Sequence, residues 1–355
     1  MPEIKPIRVG MIGAGVIARR LHIPALRQCP GVEITGAADP DSMAARELGA
    51  PDYFTDFRKM LARDQIDAVV IACPNNIHAE VAIECLRAGK HVLCEKPLAM
   101  NGQETEKMLR AAEDANCVHM VAFTYSFCPA ARYLKQMIEA GQLGQILQVR
   151  GSYLTSLAPH LLGWRSTKQL AGSGVLGDIG SHIIHLIRWF GGEIEEVTAW
   201  QRKFRADPAS DVEDWMAFLA KMPSGAVGTM EISRICAGRG ADTTEEQTVE
   251  VYGTNGSAIF STQSPRTLKI ASASDHTALF ETVDVPDSFL KLEGSPNDPD
   301  DGDPKWSYRL DQGYHFIKNI RDGEARTPSF ADGHAAQRVM DAALRSCESG
   351  AWEKT

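Results

Sequence analysis

The sequence predicts an α/β chain in two parts. An N-terminal domain of parallel strands and helices is followed by an α+β domain with a large, open, mainly antiparallel sheet. Three observations carry this reading. At 355 residues the chain exceeds what one hydrophobic core ordinarily serves. Its first third alternates short apolar runs with amphipathic stretches, as βαβ units do. Beyond residue 196 the apolar runs are joined by turn residues instead of helices, which favours antiparallel pairing.

In the first domain, expected at 1–126, strands are predicted at 7–13, 32–39, 67–72, 91–94 and 118–123. Helices are predicted between them at 16–28, 43–48, 57–63, 77–87 and 102–116. Gly31, Gly49 and Gly89 stand where helices should stop. The second domain, expected at 127–355, opens with a helix at 130–139 and a long strand at 145–153. A helix from 177 to 191 follows, then strands at 197–204, 214–221, 226–233, 247–252 and 258–261. Residues 292–303 are acidic and rich in Pro and Gly, and read as an exposed loop. Helices at 308–321 and 333–349 finish the chain, the last one expected to pack back on the first domain.

With 44% apolar and 23% charged residues the chain is an ordinary globular protein rather than a disordered one. A formal charge of −9 without a Lys/Arg cluster excludes an electrostatic footprint for nucleic acid. The eight cysteines include no CxxC pair and read as buried free thiols of a reducing compartment. No basic n-region precedes an apolar h-region, and the apolar runs read as strand-length. A cytoplasmic protein with no membrane partner is therefore expected.

Gly13-Ala14-Gly15-Val16-Ile17-Ala18 follows an apolar strand and opens a helix, the context in which G-x-G-x-x-A binds a dinucleotide. Gly13 permits the tight turn, Gly15 lets a pyrophosphate approach the backbone, and Ala18 allows close helix–strand packing. Val16 and Ile17 lie in the helix's first turn, where free N–H groups and the helix dipole favour phosphate. Asp39 ends the second strand, where an acid hydrogen-bonds the adenosine ribose; alternatively it caps the next helix. No Arg follows Asp39, and Asp41 would repel a 2′-phosphate, so NAD is favoured over NADP. These features predict a Rossmann fold for the first domain.

Two further stretches sharpen the reading. One is Ala72-Cys73-Pro74-Asn75-Asn76-Ile77-His78, followed by Gly89-Lys90-His91-Val92-Leu93-Cys94-Glu95-Lys96-Pro97. The other is Gly174-Val175-Leu176-Gly177-Asp178-Ile179-Gly180-Ser181-His182. With Gly13-Ala14-Gly15 and Pro328-Ser329-Phe330-Ala331-Asp332-Gly333, they resemble the glucose–fructose oxidoreductase / inositol dehydrogenase (Gfo/Idh/MocA) family over nearly the whole chain. The resemblance implies that Pro74, Asn75, His78, Glu95 and Lys96 line the cofactor site. It also implies a catalytic group of Lys96, Asp178 and His182, and a homodimer or homotetramer formed through the second-domain sheet. Three positions depart from the family pattern: Ser126 stands where many relatives carry Arg, His185 where an Asp is common, and Ala18, a familiar variant, where Gly would end the fingerprint.

The chemistry is coherent without the family. Removing hydride from a carbinol carbon requires removing the hydroxyl proton, and His is matched to that task near neutral pH. Asp178 and His182, four apart on a predicted helix, face the same way, so the carboxylate can orient the imidazole. Lys96 lies just past a strand's carboxyl end, where α/β sheets place ligands, and its ammonium can hold the reacting oxygen. Taken singly, Lys96 reads as a solvated lysine, His182 as a satisfied polar residue and Asp178 as a helix cap. Their co-occurrence behind a nucleotide fingerprint favours catalysis. A metal at Asp178, His182 and His185 lacks any further ligand cluster, so none is expected. Tyr125, Tyr153, His160, Trp164 and Arg165 complete the pocket candidates. Trp164 and Arg165 read equally well as a sugar platform or as ordinary packing. His185, one turn beyond His182, is expected to contact substrate.

The sequence thus predicts an NAD(P)-dependent oxidoreductase acting on a hydroxyl or carbonyl carbon of a sugar, inositol or related polyol. An NAD-dependent glycoside hydrolase using oxidation and elimination, and a non-catalytic nucleotide-binding protein, are the alternatives.

Overall fold

The computed structural model describes residues 5–63, 65–158, 162–240, 246–274 and 277–355. His160 lies outside the described residues. The contacts divide the chain into two compact units: 1–124 with 291–302 and 306–334, and 125–290 with 303–305 and 335–355.

The first unit contains β1 (Ile7–Ile12), α1 (Ile23–Gln28), β2 (Val32–Ala38), α2 (Ser42–Glu47), β3 (Asp52–Phe54) and α3 (Phe57–Leu61). It continues with β4 (Ala68–Ile71), α4 (His78–Arg87), β5 (His91–Cys94), α5 (Gly102–Ala115) and β6 (His119–Val121). Its six strands are parallel in the order β3-β2-β1-β4-β5-β6, the doubly wound order of a Rossmann fold. Ala68, Val69, Val70 and Ile71 of β4 have no exposed surface, as a central parallel strand covered on both faces requires. The expected helix at 16–28 is interrupted by a π-helical turn, Ala18–His22, ahead of α1.

In the second unit α6 (Pro129–Glu139) precedes β7 (Ile146–Leu154), α7 (Lys168–Ala171) and α8 (Ser181–Gly191). The strands β8 (Glu196–Arg202), β9 (Trp215–Lys221), β10 (Val227–Ser233) and β11 (Glu246–Gly253) follow, then β12 (Gly256–Ser261), β13 (Thr267–Ser272) and β14 (Glu281–Asp284). Helix α9 (Pro304–Asp322), helix α10 (Phe330–Ser349) and β15 (Glu353–Lys354) end the chain. Nine strands form one sheet in the order β14-β13-β12-β11-β7-β10-β9-β8-β15, and only β7 with β10 is parallel among the described residues. Strands β3, β13, β14 and β15 were not legible in the sequence, being short or lacking clean alternation.

Helix α8 lies on one face of this sheet. A Cβ at Gly151 in β7 would stand 2.4 Å from Ile183, so the glycine lets the helix approach. Ile183, Ile184, Leu186 and Ile187 are fully buried there, each contributing about 2 kcal/mol of hydrophobic stabilisation. Residues Lys168–Gly191 are long and apolar enough to cross a membrane, but 78% of that window is buried inside the protein, as in a core helix. On the other face the pleat leaves Trp200, Leu219 and Val227 exposed at 61%, 52% and 47%.

Residues 291–302 form the expected loop, most of it exposed, and it is anchored: they belong to the first unit, and Asp311 accepts from Leu292 N–H at 2.9 Å and Ser295 Oγ at 2.6 Å. Most of α9 belongs to that unit as well, while the last helix α10 begins in it and continues in the second. A Cβ on Gly313 would meet the Ala25 Cβ at 2.9 Å, so α9 and α1 pack closely.

His119 Nδ1 accepts the Phe330 N–H at 3.1 Å, and the two rings lie 5.1 Å apart. Burial pushes the pKa of His119 down to about 4 against the opposing charge of Asp332. The folded chain therefore holds a neutral ring, whereas an unfolded one protonates near 6.5. The contribution is complete above about pH 6.5 and is lost as pH falls toward 4, to a ceiling of roughly 3 kcal/mol. His119→Asn keeps an acceptor without titrating, so its melting temperature should fall less than that of the wild type between pH 6.5 and 4. Parallel falls would remove His119 from the acid response.

Candidate active site

The candidate nucleotide site of the first unit is built at the carboxyl ends of β1, β2, β4 and β5. Gly13 has φ +92°, and a Cβ there would lie 2.5 Å from the Ala72 carbonyl oxygen and 2.8 Å from Cys73 N, so no side chain fits. Around Gly15 a Cβ would meet nothing within 4 Å, leaving space for a ligand against the backbone. Val16 is 69% exposed while Ala18 is fully buried, so the helix packs through Ala18 and opens its first turn outward. Asp39 Oδ2 accepts the Ala14 N–H at 2.8 Å and Oδ1 the Asp41 N–H at 2.9 Å. Asp41, not Asp39, caps α2 through the N–H groups of Met43 and Ala44. This open glycine cradle under an acidic strand end fits a dinucleotide.

The loops after β4 and β5 are tied to one another. His78 is fully buried, with Nδ1 3.0 Å from the Pro97 carbonyl and Nε2 2.9 Å from the Cys73 carbonyl. Burial lowers its pKa, and a neutral ring donates to one carbonyl at a time. His78 is thus a strut between two loops. Asn75 is buried at the head of the short 3-10 turn Asn75–Ile77, behind Pro74. Glu95 accepts from His22 Nε2 at 2.9 Å and from the Lys96 N–H at 3.1 Å. Burial raises its pKa, but His22 and Lys96 outweigh that, and the carboxyl ends below its ordinary value. Its side chain therefore braces the loop that carries Lys96, whose bond to Pro97 is cis.

The second unit holds its own group of candidate residues. Asp178 lies in a π-helical turn, Leu176–Gly180, that runs directly into α8 and His182. Such wide turns recur at functional sites. Tyr125 packs edge-on against His182 with ring centres 4.6 Å apart, and edge-on against Tyr153 at 6.3 Å. Arg165 Nε stands 3.2 Å from Asp178 Oδ1, and its guanidinium covers the Trp164 ring at 4.3 Å. The structure therefore brings Tyr125, Tyr153 and His182 into one aromatic cluster and Trp164, Arg165 and Asp178 into another group.

His185 is 2% exposed, hydrogen-bonded through Nε2 to Ser126 Oγ at 2.8 Å and stacked on Trp189. Two of the positions that depart from the family pattern are thus bonded to each other inside the protein. Among the described residues no His, Cys, Asp and Glu cluster has metal-binding geometry.

Sequence reading missed what lies under Asp178. Glu213 is buried and accepts the N–H groups of Gly174 at 2.8 Å and Leu176 at 2.9 Å, capping the π-helical turn. Burial pushes its carboxyl pKa up, against those two bonds and Arg234. Arg234, 2% exposed, reaches within 3.9 Å of Asp178 Oδ2. Neither residue has a local motif: the two stand side by side at the paired ends of β9 and β10, far from the turn in sequence.

Comparison with known proteins agrees with this geometry. Residues 7–123 match the oxidoreductase family with an NAD-binding Rossmann fold, and residues 131–259 match the GFO/IDH/MocA C-terminal domain. Levoglucosan dehydrogenase of Pseudarthrobacter phenanthrenivorans is 34% identical over 98% of this chain and 97% of its own length. A D-xylose 1-dehydrogenase (NADP(+)) of Haloferax volcanii is 28% identical over 96% of this chain and 98% of its own. A solved levoglucosan dehydrogenase in complex with NADH and levoglucosan superposes with a TM-score of 0.90 at 33% identity, covering 99% of both chains. With the nucleotide cradle in the first unit and the Asp178–His182 helix in the second, these matches place the chain in the Gfo/Idh/MocA oxidoreductases, its first domain being the family's NAD-binding Rossmann fold.

Proposed function

We propose that this chain is a cytoplasmic, NAD-dependent dehydrogenase that oxidises a hydroxyl carbon of a sugar or sugar-like polyol. The observation that carries the reading is Asp178 and His182 on one helical run, in a chain similar end to end to levoglucosan dehydrogenase. Bound NAD supplies the hydride acceptor. In this reading His182 takes the hydroxyl proton, Asp178 orients the imidazole, and Lys96 holds the substrate oxygen as negative charge develops. Tyr125, pressed edge-on against His182, fixes the plane of that ring. Trp164 and Arg165 offer a ring face and a donor to a sugar. Burial pushes the Cys29 and Cys73 thiols up to about 12, so both stay protonated and unreactive, as buried structural thiols do.

NADH absorbance against a panel of levoglucosan, D-xylose, glucose 6-phosphate and inositols tests the activity. Steady NADH formation with an unphosphorylated sugar is expected, and Lys96→Met should lower that turnover by about 10²-fold with NAD binding kept. Glycoside cleavage without NADH would instead assign the hydrolase alternative, and a Lys96→Met variant of wild-type turnover would remove Lys96 from the mechanism.

Asp39 supports NAD over NADP, since its carboxylate already faces the glycine loop and Asp41 stands beside it. Asp39→Ser with Pro40→Arg should weaken NAD and strengthen NADP, read from KM for each. An unmodified enzyme that prefers NADP refutes this.

Self-association uses the uncovered sheet face in our reading. Trp200, Leu219 and Val227 lie on it, and Trp200 meets Trp215 edge-on at 5.5 Å. Sedimentation should show a dimer or tetramer that Trp200→Glu with Leu219→Arg converts to monomer. A wild-type monomer, or an unchanged oligomer in the variant, rules this face out.

A further inference from the structure

We propose that Arg234 is a positioning residue that fixes the Asp178 carboxylate from beneath, a role that rests on the reading of Asp178 as part of the catalytic group. The two oxygens of Asp178 meet guanidinium groups of different character. Arg165 reaches Oδ1 at 3.2 Å with a side chain 38% exposed, so water screens and loosens that contact. Arg234 stands 3.9 Å from Oδ2 with a side chain 2% exposed, where neither solvent nor side-chain freedom weakens it.

Three contacts hold Arg234 in place. Its Nη2 donates to the Glu213 carbonyl at 3.0 Å, and its own N–H donates to the Asp214 carbonyl at 3.1 Å. Gly174 admits the guanidinium, because a Cβ there would lie 2.7 Å from Nη2 and 2.0 Å from the Glu213 carbonyl oxygen. The same Glu213 caps the turn through Gly174 and Leu176, so one residue holds both the arginine and the backbone that carries Asp178. Among the described residues Nε and Nη1 of Arg234 have no hydrogen-bond acceptor. A buried guanidinium committed through only one nitrogen has its remaining charge directed at Asp178, not spent on the backbone. Burial lowers the pKa of Arg234, and Asp178 is the first-ranked of the charges that oppose this.

The test is a double-mutant cycle on the full chain, reading kcat, KM for the sugar, NADH affinity and melting temperature. Arg234→Met should lower kcat about tenfold or more, with KM and NADH affinity within about twofold. In an Asp178→Asn background the same change should cost less than about twofold in kcat, measured by single-turnover NADH formation if that background is slow. Arg234→Lys keeps the charge but cannot reach both Glu213 and Asp178. It serves if the methionine variant does not fold, and its loss of at least about threefold should likewise vanish in the Asp178→Asn background. Equal losses in the two backgrounds, or wild-type kcat in Arg234→Lys, overturn the proposal. An Asp178→Asn enzyme with full activity refutes instead the underlying role of Asp178.

Discussion

A loop that leaves the end of a strand carries backbone N–H groups that the sheet no longer pairs, and burying them without acceptors is costly. In this chain side-chain carboxylates supply the acceptors at several such loops. Asp39 takes the N–H of Ala14 in the glycine turn, and Glu95 that of Lys96. Glu213 takes Gly174 and Leu176, Asp214 takes Phe204 and Arg205, and Asp311 takes Leu292. Each bond is charge-assisted, so it fixes a loop more firmly than a neutral acceptor would, and each donor offsets part of the cost of burying the charge. The acidity of the chain is therefore partly structural.

The same economy explains where the candidate residues of each unit acquire rigidity. In the first unit the glycine turn is clamped by Asp39 on one side and by its approach to the Ala72 carbonyl on the other. In the second, the apolar face of α8 fixes the helix on the sheet while the polar cluster of Glu213 and Arg234 fixes the turn before it. Packing sets where the helix lies; the carboxylate and guanidinium set where its first side chains lie.

Much of this was legible in the sequence, and the reasons for the rest are physical. Alternation and glycine punctuation located the long strands and helices, because buried faces impose periods of 2 and 3.6 on the residues. The strands β3, β14 and β15 escaped because three-, four- and two-residue strands leave too little pattern to read. Residues 291–302 read as exposed loop by composition and are one, but Ser295 and Asn297 are buried in it by partners on α9 that composition does not reveal. At the site, Gly13, Asp39, Asp178 and His182 announced themselves through spacing. Arg234 and Glu213 did not, since they reach the turn from the paired ends of β9 and β10, far from Asp178 in sequence. For His78 and His185 the sequence places a histidine on a helix, whereas the structure adds its partners: two backbone carbonyls for His78 and the Ser126 hydroxyl for Nε2 of His185.

The interleaving of the two units sets an order on synthesis. The strands of the nucleotide sheet leave the ribosome first, but α9, which closes over Ala25, and Phe330, which meets His119, are made some two hundred residues later. The whole nine-stranded sheet except its last short strand emerges in that interval. The nucleotide unit must therefore wait, with the apolar surface of α1 uncovered, until its neighbour in sequence has been translated. A fragment ending at residue 124 would keep the dinucleotide fingerprint and lack the helix that covers it, so autonomy in sequence is not autonomy in folding.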